Sequence, residues 1–110
     1  MRKIVAYKTY FGDFIQKLSD KERGKVLRAL DMFKIKERIP SHYIKHMRDG
    51  IYEFRVNYGH NEFRIFFIYE RNTLVILFNC FRKKTQQTPD HELKKALKLK
   101  KEYDETKRNK

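Results

Sequence analysis

One carboxylate and two guanidinium groups recur at alternating positions in the middle of the chain. Glu53 and Arg55 are two residues apart in an apolar segment, and Arg64 lies in the next such segment. Because side chains two apart on a β-strand point to the same face, these groups can share one face of a sheet. Lys83 and Lys84 follow a third apolar segment and can line the rim of that face. We expect the face to be open, and a carboxylate beside several permanent cations suits a phosphodiester substrate.

This set of groups matches the requirements of RNA cleavage by its own 2′-hydroxyl. That reaction needs a proton acceptor, positive charge at the phosphorane and a proton donor at the leaving 5′ oxygen, and it needs no metal. Glu53 is the candidate base, Arg55 and Arg64 the candidate phosphate ligands, and Lys83 or Lys84 the candidate donor. The alternative is a cross-strand ion pair on a solvated face, followed by a basic loop.

The charge of the chain indicates a polyanionic partner. Its 27 Lys and Arg against 14 Asp and Glu give a formal net charge of +13 in 110 residues. Such charge acts through phosphates without reading bases, so it does not separate RNA from DNA or from anionic lipid. The cations that we predict to contact RNA outside the catalytic set are Lys45, Arg48, Arg82, Lys94, Lys95 and Lys98.

Three strands and a helix must position these groups. Apolar alternation predicts strands over residues 51–57 and 62–70, joined by a turn in which Gly59 accepts a positive φ. A continuous apolar run over 73–78 predicts a third strand. In the sequence Thr88-Pro89-Asp90, a capping residue precedes Pro at the first helical position, which predicts a helix start. We expect this helix to fray after about Tyr103.

The N-terminal half is predicted to supply one more strand and two helices. Residues 4–7 form a short apolar strand, and apolar spacing predicts a helix over 9–18. Ser19 and Glu22 form a capping-box signature for a second helix, which Pro40 ends. Residues 41–49 read as a connecting loop.

These elements predict one α+β domain over residues 1–103 with a basic, frayed tail over 104–110. Its sheet is antiparallel-rich with about four strands, two N-terminal helices cover one face, and a C-terminal helix follows.

Other site classes have little support. His42 and His46 lack a third ligand, so loop or RNA contacts are favoured over a zinc site, and we expect no cofactor. The lone Cys80 lies in an apolar strand, as a structural thiol does in a reducing compartment. No apolar run suits a signal peptide or a membrane span, so we expect a cytoplasmic protein that does not enter the membrane.

The strings GIYEFRV, EFRIFF and LFNCFRKKTQQTP, followed by a basic helix, resemble the phage-derived Gp49/HigB-like branch of the RelE/ParE toxin superfamily. The resemblance covers residues 48–103. It implies a RelE-like fold and a type II toxin that is monomeric when free. It also implies metal-independent cleavage of messenger RNA on the ribosome and inhibition by a cognate antitoxin, expected to be a helix-turn-helix protein. The matching site positions are Glu53, Arg55, Arg64, Lys83 and Lys84.

Two alternatives remain open at this point. The ParE branch implies a poison of DNA gyrase that cleaves no RNA. A basic nucleic-acid-binding accessory protein without catalysis also fits the charge.

Overall fold

Within residues 1–84 and 86–108, the part that the computed structural model describes, five strands and three α-helices form an α+β fold, as predicted. The sheet has the order β1-β5-β4-β3-β2. The strands are β1 (Lys3–Ala6), β2 (Ile44–Arg48), β3 (Ile51–Tyr58), β4 (Asn61–Arg71) and β5 (Leu74–Lys83). The helices are α1 (Tyr10–Gln16), α2 (Asp20–Ile35) and α3 (Asp90–Arg108), and Ser41–Tyr43 forms a 3-10 turn. Strands β2 to β5 are antiparallel, whereas β1 lies parallel to β5.

A hairpin that we did not predict adds the fifth strand. Residues 41–49 were expected to form a loop, but β2 pairs with β3 through a turn at Asp49 (φ 52°) and Gly50 (φ 80°). Two positive φ values in a two-residue connection match the twist of paired strands, which is why this turn holds the hairpin. The expectation of about four strands was therefore one short.

The sheet is covered on both faces, and its central strand β4 is largely buried. One face packs on α1 and α2 through Phe54, Phe63 and Phe67, all fully buried. These three rings belong to the hydrophobic core. The other face packs on α3 through residues that include Phe66 and Phe78.

The start of α2 follows its sequence signal, whereas α2 ends at Ile35, before Pro40, and α3 extends past its expected end. The Ser19 hydroxyl accepts from the Glu22 backbone and the Glu22 carboxylate accepts from the Ser19 backbone, which confirms the capping box. At the other end of α2, the Arg2 guanidinium donates to Phe33 O and Glu37 O, each at 2.9 Å, and to Lys36 O.

Helix α3 continues to Arg108, beyond Tyr103 where fraying was expected. The last two residues of the predicted tail lie outside the described residues, as does Thr85 of the FRKKTQQTP string. Among the described residues, no helix combines the length and hydrophobicity that a bilayer crossing requires.

A register shift in β5 brings an additional side chain to α3. Ile65 pairs with Cys80 and Phe67 with Leu77, so Phe66 of β4 faces two residues of β5. One of them, Asn79, is buried and donates to the Glu92 backbone and carboxylate oxygens, both at 3.0 Å. The bulge thereby ties the start of α3 to the sheet.

Candidate phosphate-binding site

The carboxylate and the two guanidinium groups predicted from alternation do meet. Arg55 and Arg64 are register partners on β3 and β4. Arg55 Nε donates to Glu53 Oε1 at 3.2 Å, and Arg64 Nε lies 3.7 Å from the same oxygen. Thr88, predicted as the cap of α3, donates its hydroxyl to Glu53 Oε2 at 2.7 Å.

The face that carries these groups is not open, so the prediction of an uncovered surface was wrong. Glu53 has no exposed surface, and both of its oxygens accept hydrogen bonds. The segment leading into α3 brings Thr88 onto it, which sequence alternation could not indicate. In this arrangement the carboxylate has no contact with solvent or substrate, and it does not meet the geometric requirement for a general base.

The two arginines have different environments. Arg64 is 3% exposed, and its terminal nitrogens donate to Glu62 Oε1 at 2.8 Å, to Phe63 O at 3.0 Å and to Asn57 Oδ1 at 3.5 Å. The Arg55 side chain is 31% exposed, and within the described residues only its Nε has a hydrogen-bond acceptor. Arg55 therefore keeps both terminal NH₂ groups for a ligand.

A pocket of about 410 Å³ opens beside these arginines. Pairing between β2 and β3 ends at Ile44 and Phe54, so the edge of β3 beyond Phe54 is free of β2. The 3-10 turn and α2 border the gap. The lining residues are Lys25, His42, Tyr43, Arg55, Asn57, Glu62, Arg64 and Lys83.

A larger groove of about 680 Å³ adjoins the pocket at the start of β4 and the end of β5. Glu62 and Lys83, which are register partners, line both cavities. The other lining residues are His60, Asn61, Arg82, Lys84 and Gln86. The pocket and groove form a continuous, mainly basic surface through this shared pair.

Arg82 is held in place at the groove. Its guanidinium donates to Asn61 Oδ1 at 2.7 Å and to Glu22 Oε2 at 3.3 Å, and it lies 5.3 Å from the centre of the Phe63 ring. The pKa of Glu22 is lowered, first by its hydrogen bond from the Ser19 backbone and also by the charge of Arg82. Glu22 is therefore an anion that both caps α2 and anchors this groove cation.

The remaining predicted RNA contacts do not line either cavity. Lys45 is exposed on β2, and Arg48 pairs with Asp49 at 3.1 Å. On α3, Lys94 lies 4.0 Å from Asp90, Lys95 lies 4.7 Å from the centre of the Tyr10 ring, and Lys98 is exposed. These five cations stay predictions for a wider contact surface.

The structure adds pocket residues that sequence reasoning missed. Asn57 and Glu62 continue the alternation that carries Arg55 and Arg64, so the same pattern could have found them. Lys25 comes from α2 and His42 and Tyr43 from the 3-10 turn, and no local pattern joins them to the strands.

Two other predicted features have a structural outcome. No group of three or more His, Cys, Asp or Glu residues suited to a metal ion occurs within residues 1–84 and 86–108. Cys80 is partly buried, and desolvation raises the pKa of its thiol, as expected for an unreactive structural residue.

The chain is similar to one described protein family and to a solved structure. A model of the family described as phage derived protein Gp49-like matches residues 13–101, which is well over half of the chain. No curated protein sequence matches. Among solved structures, a crystal structure of the archaeal RelE-RelB complex from Pyrococcus horikoshii OT3 matches with a TM-score of 0.49 and 8% sequence identity. That alignment covers 72% of this chain and 91% of the other.

Proposed function

Because the chain belongs to the phage-derived Gp49-like family of RelE/HigB-like toxins, we propose that it is the toxin of a type II toxin–antitoxin system and cuts messenger RNA on the ribosome. The family match confirms the resemblance drawn from residues 48–103. The catalytic proposal itself rests on one observation, the meeting of Arg55, Arg64 and Lys83 around a pocket at the edge of β3.

Three cations around one cavity suit a phosphodiester in its pentavalent state. We propose that the terminal NH₂ groups of Arg55 and the ammonium group of Lys83 bind the scissile phosphate. The buried Arg64 contributes its positive charge from behind the pocket surface. Permanent guanidinium donors fixed by neighbours need no reorganisation as charge develops, and one such donor is worth about 10²–10³ in kcat. Lys83 or Lys84, the latter exposed on the groove, donates the proton to the leaving oxygen.

Glu53 takes a different role from the one expected of it. Buried beneath Arg55 and Arg64, it fixes the Nε side of Arg55 and leaves the opposite side of the guanidinium for the substrate. We therefore assign Glu53 as a positioning residue. We assign the 2′-hydroxyl proton to Glu62, whose side chain is 46% exposed on the wall shared by pocket and groove.

Cell-free translation followed by primer extension tests this function. Adding the protein should produce new 5′ ends inside coding sequence on ribosome-bound message. Arg55→Ala should lower the rate of cleavage by about 10²–10³-fold. Arg71→Ala is the matched control, because Arg71 is exposed at the opposite end of β4 and should leave the rate unchanged.

Absence of new 5′ ends with the folded wild-type protein would contradict ribonuclease activity. Inhibition of gyrase supercoiling in place of cleavage would instead support the ParE-like alternative. A cognate antitoxin is the proposed protein partner, and its reading frame beside this one is the first place to look for it. The proposed reaction takes place on ribosomes and hence in the cytoplasm.

A further inference from the structure

A row of four rings runs from the core to the candidate pocket. Phe33 stacks on Phe54 with centroids 5.2 Å apart and planes 10° apart, and Phe54 stacks on Tyr43 at 5.8 Å and 18°. Tyr43 in turn contacts His42 at 4.3 Å and 35°. The two phenylalanines are fully buried, Tyr43 is half-buried and His42 is exposed. The row therefore ends in an exposed imidazole on a rigid support.

The exposed end of this row lies in the candidate phosphate-binding pocket. His42 and Tyr43 line the same pocket as Arg55, Arg64 and Lys83. Its volume of about 410 Å³ falls in the range of small-molecule sites, about 300–1,000 Å³. One pocket thus combines cations for a phosphate with an aromatic surface for a base.

We propose that His42 is a stacking platform for the nucleobase joined to the phosphate that Arg55 and Lys83 bind, so that the pocket is a nucleotide subsite. The proposal rests on the function proposed above and adds how the RNA base is held. Stacking on an aromatic ring tolerates any base, because every base presents a π-face. The platform therefore supplies affinity and alignment with little sequence preference.

The chain contains a matched control histidine. His46 is also exposed, and its ring contacts Tyr52 edge-on at 5.0 Å and 70°. It lies on β2, four residues from His42, and does not line the pocket. Replacing His46 removes an exposed imidazole of the same type without touching the proposed subsite.

A short 2′-O-methyl RNA that carries 2-aminopurine provides the probe, since it resists cleavage and its fluorescence falls on stacking. Wild-type protein should quench the probe on binding. His42→Ala should abolish the quenching and weaken binding by about 5- to 150-fold. His42→Phe should restore both, because it keeps an aromatic face, and His46→Ala should bind like the wild type.

Several outcomes would overturn the platform. Unchanged binding and quenching in His42→Ala would remove His42 from the subsite. A His42→Phe variant that binds and quenches like the wild type but cleaves more than 100-fold more slowly would support the platform and give His42 a proton-transfer role in addition. An abasic version of the oligonucleotide separates the stacking platform from the phosphate pocket proposed above. Equal affinity for abasic and intact probes would overturn the platform alone, whereas failure of the wild type to bind either would count against the phosphate pocket as well.

Discussion

Replacing Glu53 tests the buried charge cluster most directly. Its carboxylate is fully buried between Arg55, Arg64 and Thr88, and Arg64 is itself buried. Removing one partner of a buried ion pair costs about 3–5 kcal/mol, because the remaining charge stays desolvated. Arg64 keeps Glu62 as a partner, so we expect Glu53→Ala to lower the free energy of unfolding by about 3 kcal/mol, near the lower limit of that range.

Such a loss is large beside the total stability of a domain of this size, about 5–15 kcal/mol. Urea unfolding at pH 7, followed by circular dichroism, measures this loss of unfolding free energy. In a thermal melt of the same variant, the melting temperature should fall by about 10–20 °C. Glu53→Gln keeps the shape and an acceptor for Thr88, so it should lose roughly half as much. Glu105→Ala, which removes an exposed carboxylate on α3, is the control and should change stability by less than about 0.5 kcal/mol.

A loss of stability in Glu53→Ala no larger than that in Glu105→Ala would refute the buried ion pair, since Glu53 would then be solvated or unpaired. The folded Glu53→Gln variant also separates the two roles considered for this residue. A positioning residue raises the Kd for a non-cleavable oligonucleotide and lowers the saturated cleavage rate less than about tenfold. Loss of a general base would instead lower that rate by about 10²–10⁴-fold at unchanged Kd.

Three further perturbations test the framework of the site. Arg2→Ala should cost about 1–3 kcal/mol in urea unfolding, because it removes charged donors from the C-terminal carbonyls of α2, and exposed Lys3→Ala should cost far less. The pKa of Glu22 is lower in the folded protein, so the stability that its carboxylate contributes is present above its unfolded pKa near 4.5 and is lost as pH falls through the folded pKa. In Glu22→Gln the free energy of unfolding should therefore depend less on pH in that window. Gly50→Ala, at φ 80°, should destabilise by about 1–2 kcal/mol, whereas Gly12→Ala in α1 meets no atom within 4 Å and should stabilise by up to about 1 kcal/mol. A neutral Arg2→Ala would contradict the capping role of Arg2. A difference between Glu22→Gln and wild type that does not change with pH would contradict the lowered pKa of Glu22. Equal effects of the two glycine substitutions would contradict the need for a positive φ at Gly50.

Periodicity predicted the part of the fold in which local pattern and tertiary packing agree. The alternation over β3 and β4 and the apolar run in β5 placed three central strands, and the capping box placed α2. Strand β2 was missed because Pro40 and the polar residues after it suggested a loop. The pair Asp49-Gly50, a strong signal for a two-residue hairpin turn, could have revealed it.

The meeting of Glu53 with Arg55 and Arg64 was also predictable, since it follows from strand alternation and hairpin register. Its burial was not. Alternation assigns side chains to a face, but the cover over that face comes from Thr88 and α3, far away in sequence. The position of His42 beside Arg55 and Arg64 was equally hidden, because those two residues lie on other elements.

The parallel pairing of the edge strand β1 with β5 sets an order for events during synthesis. Lys3 pairs with Leu74, so β1 waits roughly seventy residues for its partner, about 4–14 s at 5–20 residues per second. Thr88, which covers Glu53, is made later still. A nascent chain therefore carries Arg55 and Arg64 before the segment that locks them in place has been made, and the pocket can be completed only after that segment emerges.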